Sequence, residues 1–230
     1  MPLEDSTYTD AQPRVFLQPI AAPSILGLYG LAGATFIFAA RMVHWFGSSH
    51  TALLLVPFAA IFGGLAQFLA GMWAYKARDG VATAVHGMWG SFWMAFGILT
   101  LMISSGSAPQ PMGPLFPELG YWFIVLSAIT WVCMGAASSE NKALVTTLLF
   151  LAAGSTIAAI ALLAGVEALM TLAGYLFIIS AIGAWYTGSA LMLNEAFGRE
   201  VWLLGRSAQA QQMPRIAAGI GEPGVIRGQA

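Results

Sequence analysis

Six long apolar segments constrain the fold of this chain more than any other feature of its sequence. A helix that crosses the hydrocarbon core of a bilayer, about 30 Å thick, needs about 20 mainly apolar residues. Because 58% of the residues are hydrophobic and only 8% are charged, the chain has too few polar side chains to cover a soluble domain. We therefore predict an all-α integral membrane protein, a bundle of six transmembrane helices. The predicted spans are Ile25–Phe46, Ala52–Tyr75, Ala82–Met102, Leu119–Ala137, Ala143–Ala164 and Ala168–Leu193.

The connections between the spans indicate how the helices pack. All but the one before the fourth span are short and carry turn-forming or charged residues, so consecutive spans should be antiparallel neighbours, grouped as three helical hairpins. The N-terminal residues lack the basic region and apolar core of a cleaved signal peptide. We predict a disordered cytoplasmic tail over residues 1–21, a six-helix transmembrane domain over residues 22–205 and a second disordered cytoplasmic tail over residues 206–230.

The basic residues predict the orientation of the bundle. Loops that carry Lys and Arg stay preferentially in the cytoplasm. A six-span arrangement puts every basic residue but one on a single side, and only Arg41 falls towards the other. We therefore place both termini in the cytoplasm, in a multi-pass protein of the inner (cytoplasmic) membrane. The basic residues on the cytoplasmic side are Arg14, Lys76, Arg78, Lys142, Arg199, Arg206, Arg215 and Arg227.

The first span begins with a stripe of small residues on one face. Gly27, Gly30 and Gly33 follow Pro23, whose missing N–H suits the first turn of a helix. In a bilayer, small residues let neighbouring helices approach closely. The stripe is typical of a helix-packing face.

Bulky side chains fall at one depth in the first, third and fifth spans. These spans all run outward from the cytoplasm. With a rise of about 1.5 Å per residue, Leu31, Trp89 and Leu151 lie about 10 to 12 Å inside the cytoplasmic edge. We predict that the three form a ring around a pathway. Ordinary packing of residues that are common in any membrane bundle is the alternative.

Polar side chains within the spans are costly in hydrocarbon and usually face the interior of the bundle. Gln67, in the second span, needs a partner or a water-filled lumen. His86 lies one turn before Trp89 and could face the same pathway, or could bond a loop backbone at the interface. Arg41, near the outer end of the first span, could attract anions to an outer mouth or extend to the outer headgroups.

The end of the last span carries Asn194 and Glu195. Glu195 could exchange a proton at an inner mouth, or could pair with Arg199 one turn later. The sequence has no glycine-rich phosphate loop and no set of residues spaced to bind a metal. His44 and His86 fall at opposite ends of their spans and cannot bind one haem. We predict no enzymatic activity, no cofactor, no metal site and no nucleic-acid partner.

Several motifs together resemble the acetate uptake transporter family, which includes succinate and acetate permeases that move monocarboxylates with protons. The family's opening motif, Asn-Pro-Ala-Pro-Leu-Gly-Leu, aligns with residues 22–28, where Pro23, Leu26, Gly27 and Leu28 match it. The resemblance covers about residues 22–205. The other matching motifs are Gly63-Gly64 with Ala66-Gln67, Ala70-Gly71, Gly90-Ser91-Phe92-Trp93, and Leu193-Asn194-Glu195 with Phe197-Gly198-Arg199.

The resemblance implies a six-helix protomer that assembles as a homo-hexamer, each protomer having its own pathway for a carboxylate such as acetate or succinate, together with protons. It also implies a hydrophobic constriction of Phe, Tyr and Leu, and the matching positions here are Leu31, Trp89 and Leu151. Leu therefore replaces Phe, and Trp replaces Tyr. Family members carry His near the position of Arg41.

Two alternatives stay open at this point. The same apolar ring would pass a small neutral solute such as urea, an amide or ammonia, and carboxylates would then not compete for the pore. A non-transporting membrane subunit would have its pore filled by Trp89 and the neighbouring side chains.

Overall fold

The computed structural model describes residues 20–46, 49–109 and 117–208, so residues 1–19 and 209–230 of the two predicted tails lie outside the described residues. Every regular element in the described part of the chain is helical. The helices are α1 (Pro23–Met42), α2 (Ser49–Phe58), α3 (Gln67–Ala77), α4 (Gly80–Ser104), α5 (Pro117–Ala137), α6 (Lys142–Ala164) and α7 (Glu167–Phe197), with a π-helical segment at Ala59–Ala66 between α2 and α3.

Six helices in the described residues are long and apolar enough to cross a membrane, which confirms the predicted fold class. The second span, Leu54–Ala77, combines most of α2 with the π-helical segment and α3. The first span ends at Met42, four residues before the predicted boundary at Phe46. The helix stops because His44 adopts a left-handed backbone conformation, with φ of 58°. The Nε2 atom of His44 then lies 3.7 Å from Oε1 of Glu167, at the start of α7.

The six spans pack as a ring in chain order. Each span contacts the next, and α1 closes the ring by packing against α7. Among the described residues, no Cα atom of α4 comes within 8 Å of a Cα atom of α7. Aromatic side chains fill the space between these two helices, where the ring centroids of Trp89 and Phe177 are 6.5 Å apart.

The second span is irregular at its centre. Pro57 lies inside α2 and has no N–H to donate to the preceding turn. The widened π-helical turns follow at once, and such turns are frequent at functional sites. Gln67 is the first residue after them and is fully buried. The irregular segment therefore directs a polar side chain into the bundle.

Glycines hold the first three spans close together. A β-carbon added at Gly30 would lie 2.8 Å from the carbonyl oxygen of Phe62, and one added at Gly71 would lie 2.6 Å from the backbone nitrogen of Gly87. A β-carbon at Gly27 would overlap the ring of His86. The glycine stripe of α1 therefore packs against the second and third spans, as a packing face should.

The chain folds back across the end of the bundle after α7. The Asn194 side chain accepts hydrogen bonds from the backbone N–H groups of Val201 (2.6 Å) and Trp202 (3.0 Å) and donates one to the Trp202 carbonyl (2.8 Å). Further along, the backbone N–H of Lys142 donates to the carbonyl of Gly205 at 3.0 Å. The segment after α7 is thereby fastened to the turn between α5 and α6.

Candidate functional site

A cavity of about 130 Å³ lies at the end of the bundle where α1, α4 and α6 begin, which we call the cavity end. Its walls come from the first turns of these three helices and from the last part of α7. The lining residues are Ala22, Ser24, Leu28, Asp79, Val81, Ala82, Val85, His86, Glu140, Asn141, Leu144, Thr187 and Leu191.

Three helix N-termini converge on this cavity. The Asp79 carboxylate accepts a hydrogen bond from the backbone N–H of Ala82 at 2.8 Å and caps α4. The Asn141 side-chain oxygen accepts one from the backbone N–H of Leu144 at 2.8 Å and caps α6. No side chain caps the start of α1 at Pro23. The aligned peptide dipoles at helix N-termini favour anions, and the carboxylates of Asp79 and Glu140, which also line the cavity, oppose this attraction when they are ionised.

His86 lies at the deep side of the cavity. Only 2% of its surface is exposed, and its ring packs on the bare backbone of Gly27. Its Nδ1 atom has no hydrogen-bond partner in the described part of the protein. The alternative, an interfacial histidine hydrogen-bonded to loop backbone, therefore does not hold for the Nδ1 atom. His86 therefore brings a buried ring nitrogen without a partner among the described residues to the wall of the cavity.

An aromatic cluster closes the bundle beyond the cavity. Trp89, one turn after His86, donates its Nε1–H to the hydroxyl of Thr130 at 3.1 Å and is 3% exposed. Its ring meets that of Phe92 edge to face, with the centroids 5.6 Å apart. Phe123 lies 5.5 Å from Phe92, centroid to centroid, and extends the cluster towards α5. The interior is therefore filled at this depth.

The three residues of the predicted ring belong to this closed region. Leu31, Trp89 and Leu151 are all buried, with 0%, 3% and 0% of their surfaces exposed, and they lie in one hydrophobic cluster. They lie eight or nine residues after the first residues of α1, α4 and α6, which corresponds to about 12 to 14 Å of helix rise. We call these three residues the constriction. Their burial agrees with the predicted ring, whose role in a pathway stays a prediction.

Other buried polar groups without a partner in the described structure lie in α1, α3 and α4. Both polar atoms of the Gln67 amide, the hydroxyl of Thr35 and the Nε1 atom of Trp93 are buried and have no hydrogen-bond partner within the described residues. A β-carbon at Gly30 would lie 3.1 Å from Cβ of Gln67, so Gln67 packs directly on α1. An unpaired buried polar group costs about 1–3 kcal/mol. A group of this kind is therefore a place where a hydrogen bond from water or a polar solute would be stabilising.

The remaining sequence candidates lie elsewhere. Arg41 is exposed near the end of α1, at the opposite end of that helix from the cavity. Asn194 holds the segment after α7, while Glu195 beside it is exposed. In the opening motif, Gly27 and Leu28 face inward, whereas Leu26 is 45% exposed and Pro23 is half-buried.

Sequence reasoning missed the acidic pair at the cavity mouth. Asp79 and Glu140 come from separate turns, before α4 and before α6, and both line the cavity. Burial of the Glu140 carboxyl, reinforced by the negative charge of Asp79, raises the pKa of Glu140 to about 7. The sequence does contain a signal for this site. Asp79 and Asn141 are residue types that cap helices, and each lies immediately before a helix, α4 or α6, that begins at the cavity.

Comparison with known proteins agrees with these features. The model of the GPR1/FUN34/yaaH family matches residues 8–198. The succinate-acetate/proton symporter SatP of Escherichia coli (strain K12) is 30% identical over 190 residues, which cover 82% of this chain and 97% of that protein. An uncharacterized protein of Methanothermobacter thermautotrophicus is 28% identical over 192 residues, covering 79% of this chain and 89% of that one.

A solved structure also matches. The structure described as that of the bacterial acetate channel SatP superposes with a TM-score of 0.74 at 26% identity, and the match covers 81% of this chain and 100% of that one. The predicted resemblance to acetate transporters is thereby confirmed. The chain belongs to the GPR1/FUN34/yaaH family.

Proposed function

We propose that this protein carries acetate and similar short-chain carboxylates, together with protons, across the cytoplasmic membrane. The observation that supports this most directly is the match to a succinate-acetate/proton symporter over 97% of that protein's length. The similarity to an acetate channel over that chain's whole length supports the same assignment. Succinate is a further candidate substrate. The proposed role is transport without chemical conversion of the substrate.

The cavity end supports recognition of a carboxylate. α1, α4 and α6 all begin at this cavity, and the dipoles of helix N-termini favour a negative ligand. Its volume of about 130 Å³ suits a small acid better than a large metabolite. Thr187 and Ser24 add hydroxyl groups, and His86 adds a ring nitrogen without a partner in the described structure.

The interior beyond the cavity favours passage of the neutral acid. Simple carboxylic acids titrate near pH 4 to 5, so about one molecule in several hundred is neutral at pH 7. Removing water from a carboxylate ion at the constriction costs far more free energy than removing water from the neutral acid. The unpartnered amide of Gln67 and the hydroxyl of Thr35 offer hydrogen bonds along the way. Opening of the aromatic cluster around Trp89 is required in this proposal.

We also propose the orientation and the assembly that the sequence predicts. Lys76, Arg78 and Lys142 lie in or next to turns at the cavity end, so the positive-inside rule favours a cytoplasmic cavity. Both chain termini would then be cytoplasmic. Assembly as a homo-hexamer follows from the family resemblance. Arg41, at the other end of α1, would attract carboxylate anions from outside.

The two alternatives differ in how the observations support them. A non-transporting subunit was expected to have its interior filled by Trp89 and its neighbours, and the interior is filled in this conformation. A closed constriction gives the same appearance, and the family relationship favours transport. A pore for a neutral solute would not need the converging helix N-termini at the cavity.

Competition between isosteric solutes tests the cargo. Unlabelled propionate in excess is expected to suppress uptake of labelled acetate into vesicles that hold the purified protein, because both compete for an anion-attracting cavity. Acetamide, which has nearly the same shape as acetate but no charge, is expected to leave uptake unchanged. The measurement is initial uptake with empty vesicles subtracted. Suppression by acetamide and not by propionate would reverse the assignment in favour of a neutral-solute pore.

A further inference from the structure

Two carboxylates face a cavity whose helix ends attract anions. Asp79 lies in the turn between α3 and α4, and Glu140 lies in the turn between α5 and α6. Both line the cavity, together with the nearly fully buried His86, whose Nδ1 atom has no partner among the described residues. When both carboxylates are ionised, they oppose the attraction that the helix N-termini exert on a carboxylate substrate.

The two acids are held in different ways. Asp79 accepts a hydrogen bond from the backbone N–H of Ala82 as the cap of α4. The backbone of Glu140 is fixed, because its carbonyl accepts a hydrogen bond from the N–H of Ser207 at 2.9 Å. The Glu140 side chain is partly buried beside Asp79, and these two circumstances raise its pKa to about 7. Glu140 is therefore an acid that changes its charge near neutral pH.

Other ionisable groups surround Glu140. Asp79 faces it from the α3–α4 turn, and His86 of α4 lies on the same cavity wall. Lys142 begins α6 two residues later, and Arg206, in the segment after α7, pairs with Asn141 through the backbone. α1 contributes Ala22, Ser24 and Leu28 to the cavity, and α7 contributes Thr187 and Leu191, none of which is ionisable. The charge of the cavity mouth near pH 7 therefore depends mainly on Glu140.

We propose that Glu140 is a proton-binding group that controls entry into this cavity, and that only its protonated form admits a carboxylate anion. Addition of one proton to a carboxylate oxygen of Glu140 changes the charge of the acidic pair from two negative units to one. A carboxylate anion at the helix N-termini is then repelled by one negative charge instead of two. Deprotonation above pH 7 restores the repulsion. This proposal rests on the proposed function and adds to it a regulatory residue at the cavity end.

The test compares uptake by Glu140→Gln with uptake by the wild-type protein at each pH, in vesicles whose inserted protein has the cavity end facing the external buffer, so that acetate enters through the cavity. The glutamine keeps the shape and the backbone bond to Ser207 but cannot ionise. The ratio of the two uptakes cancels the titration of acetate itself, because both proteins receive the same mixture of acid and anion. We expect a ratio near one at pH 5.5, rising to about tenfold at pH 8, where about one-tenth of a group with a pKa of about 7 is protonated.

Two further variants make the test specific. Glu118→Gln removes a carboxylate from the first turn of α5 and is expected to give a ratio near one at every pH. Asp79→Asn keeps a side-chain oxygen for the cap of α4 and removes the neighbouring charge. We expect it to move the pH at which uptake declines to a lower value, because the pKa of Glu140 falls when that charge is lost. A purely structural role of Asp79 would not move this midpoint.

The outcomes separate the two proposals. Wild-type uptake with a ratio that stays constant from pH 5.5 to pH 8.5 would overturn the role of Glu140 and leave the proposed function standing. Wild-type uptake no greater than that of empty vesicles at any pH would overturn the proposed function, and the role of Glu140 with it. If Glu140→Gln does not fold, an unchanged midpoint in Asp79→Asn counts against the role of Glu140, and a lowered midpoint supports it.

Discussion

Replacement of Gly90 with alanine is expected to force α3 and α4 apart and to prevent the protein from folding stably. A β-carbon at this position would lie 2.6 Å from the backbone nitrogen of Phe68, 2.8 Å from its Cα atom and 2.9 Å from the carbonyl oxygen of Gly64. All three are backbone atoms, which cannot move aside by changing a rotamer. Overpacking commonly costs 1–3 kcal/mol, and we expect a loss of about 3 kcal/mol or more here.

Gly87→Ala is the matched control for this prediction. Gly87 lies one turn earlier on the same helix, and a β-carbon there would meet no atom within 4 Å. Both variants gain the same methyl group and the same helix propensity. Thermal unfolding of each variant in detergent, monitored by size-exclusion chromatography, gives the two melting temperatures to be compared. Equal melting temperatures for the two variants would mean that the close approach of α3 and α4 is not required.

Replacement of Trp89 with alanine is expected to widen the constriction and increase carboxylate uptake. The substitution removes the largest side chain at this depth, together with its hydrogen bond to Thr130 and its ring contacts with Phe92 and Phe177. Each 1.4 kcal/mol by which the barrier falls gives about tenfold faster passage. We expect succinate to gain more than acetate, because the larger acid is hindered more by the indole. Initial uptake of both acids measures the effect.

Trp131→Ala provides a close control. The Nε1–H of Trp131 donates to the hydroxyl of Thr156 at 3.1 Å, just as that of Trp89 donates to Thr130. Trp131 is 38% exposed on the outer side of α5, away from the constriction. It should leave both uptakes unchanged. If Trp89→Ala and Trp131→Ala give the same uptake of both acids, Trp89 does not limit passage.

The sequence predicted the six spans because hydropathy and length determine them almost alone. All six boundaries at the start of a span differ from the structure by only one or two residues, as at Ala82 against Gly80. The second span is irregular, and its π-helical segment before Gln67 was not predicted from the sequence. π-Helical turns depend on how neighbouring helices pack, and a single sequence does not carry that information.

The deep part of the site was easier to predict than its mouth. Leu31, Trp89 and Leu151 share one depth, which can be counted along each helix. The cavity depends on which turns meet at one end of the ring, and Asp79 and Glu140 are 61 residues apart in the chain. Their proximity follows from the order of the helices in the ring. Short polar turns such as these look solvent-exposed in a sequence, and only the fold shows that Glu140 is partly buried.

Gradient-driven uptake of labelled acetate by the purified wild-type protein in vesicles tests the central claim most directly. Empty vesicles report the acid that crosses the lipid unaided. We predict uptake above that background, with a several-fold increase when an inward proton gradient is imposed, since a tenfold excess of protons outside gives about a tenfold excess of the neutral acid there. Uptake equal to that of empty vesicles, from protein shown to be folded and inserted, would contradict the account.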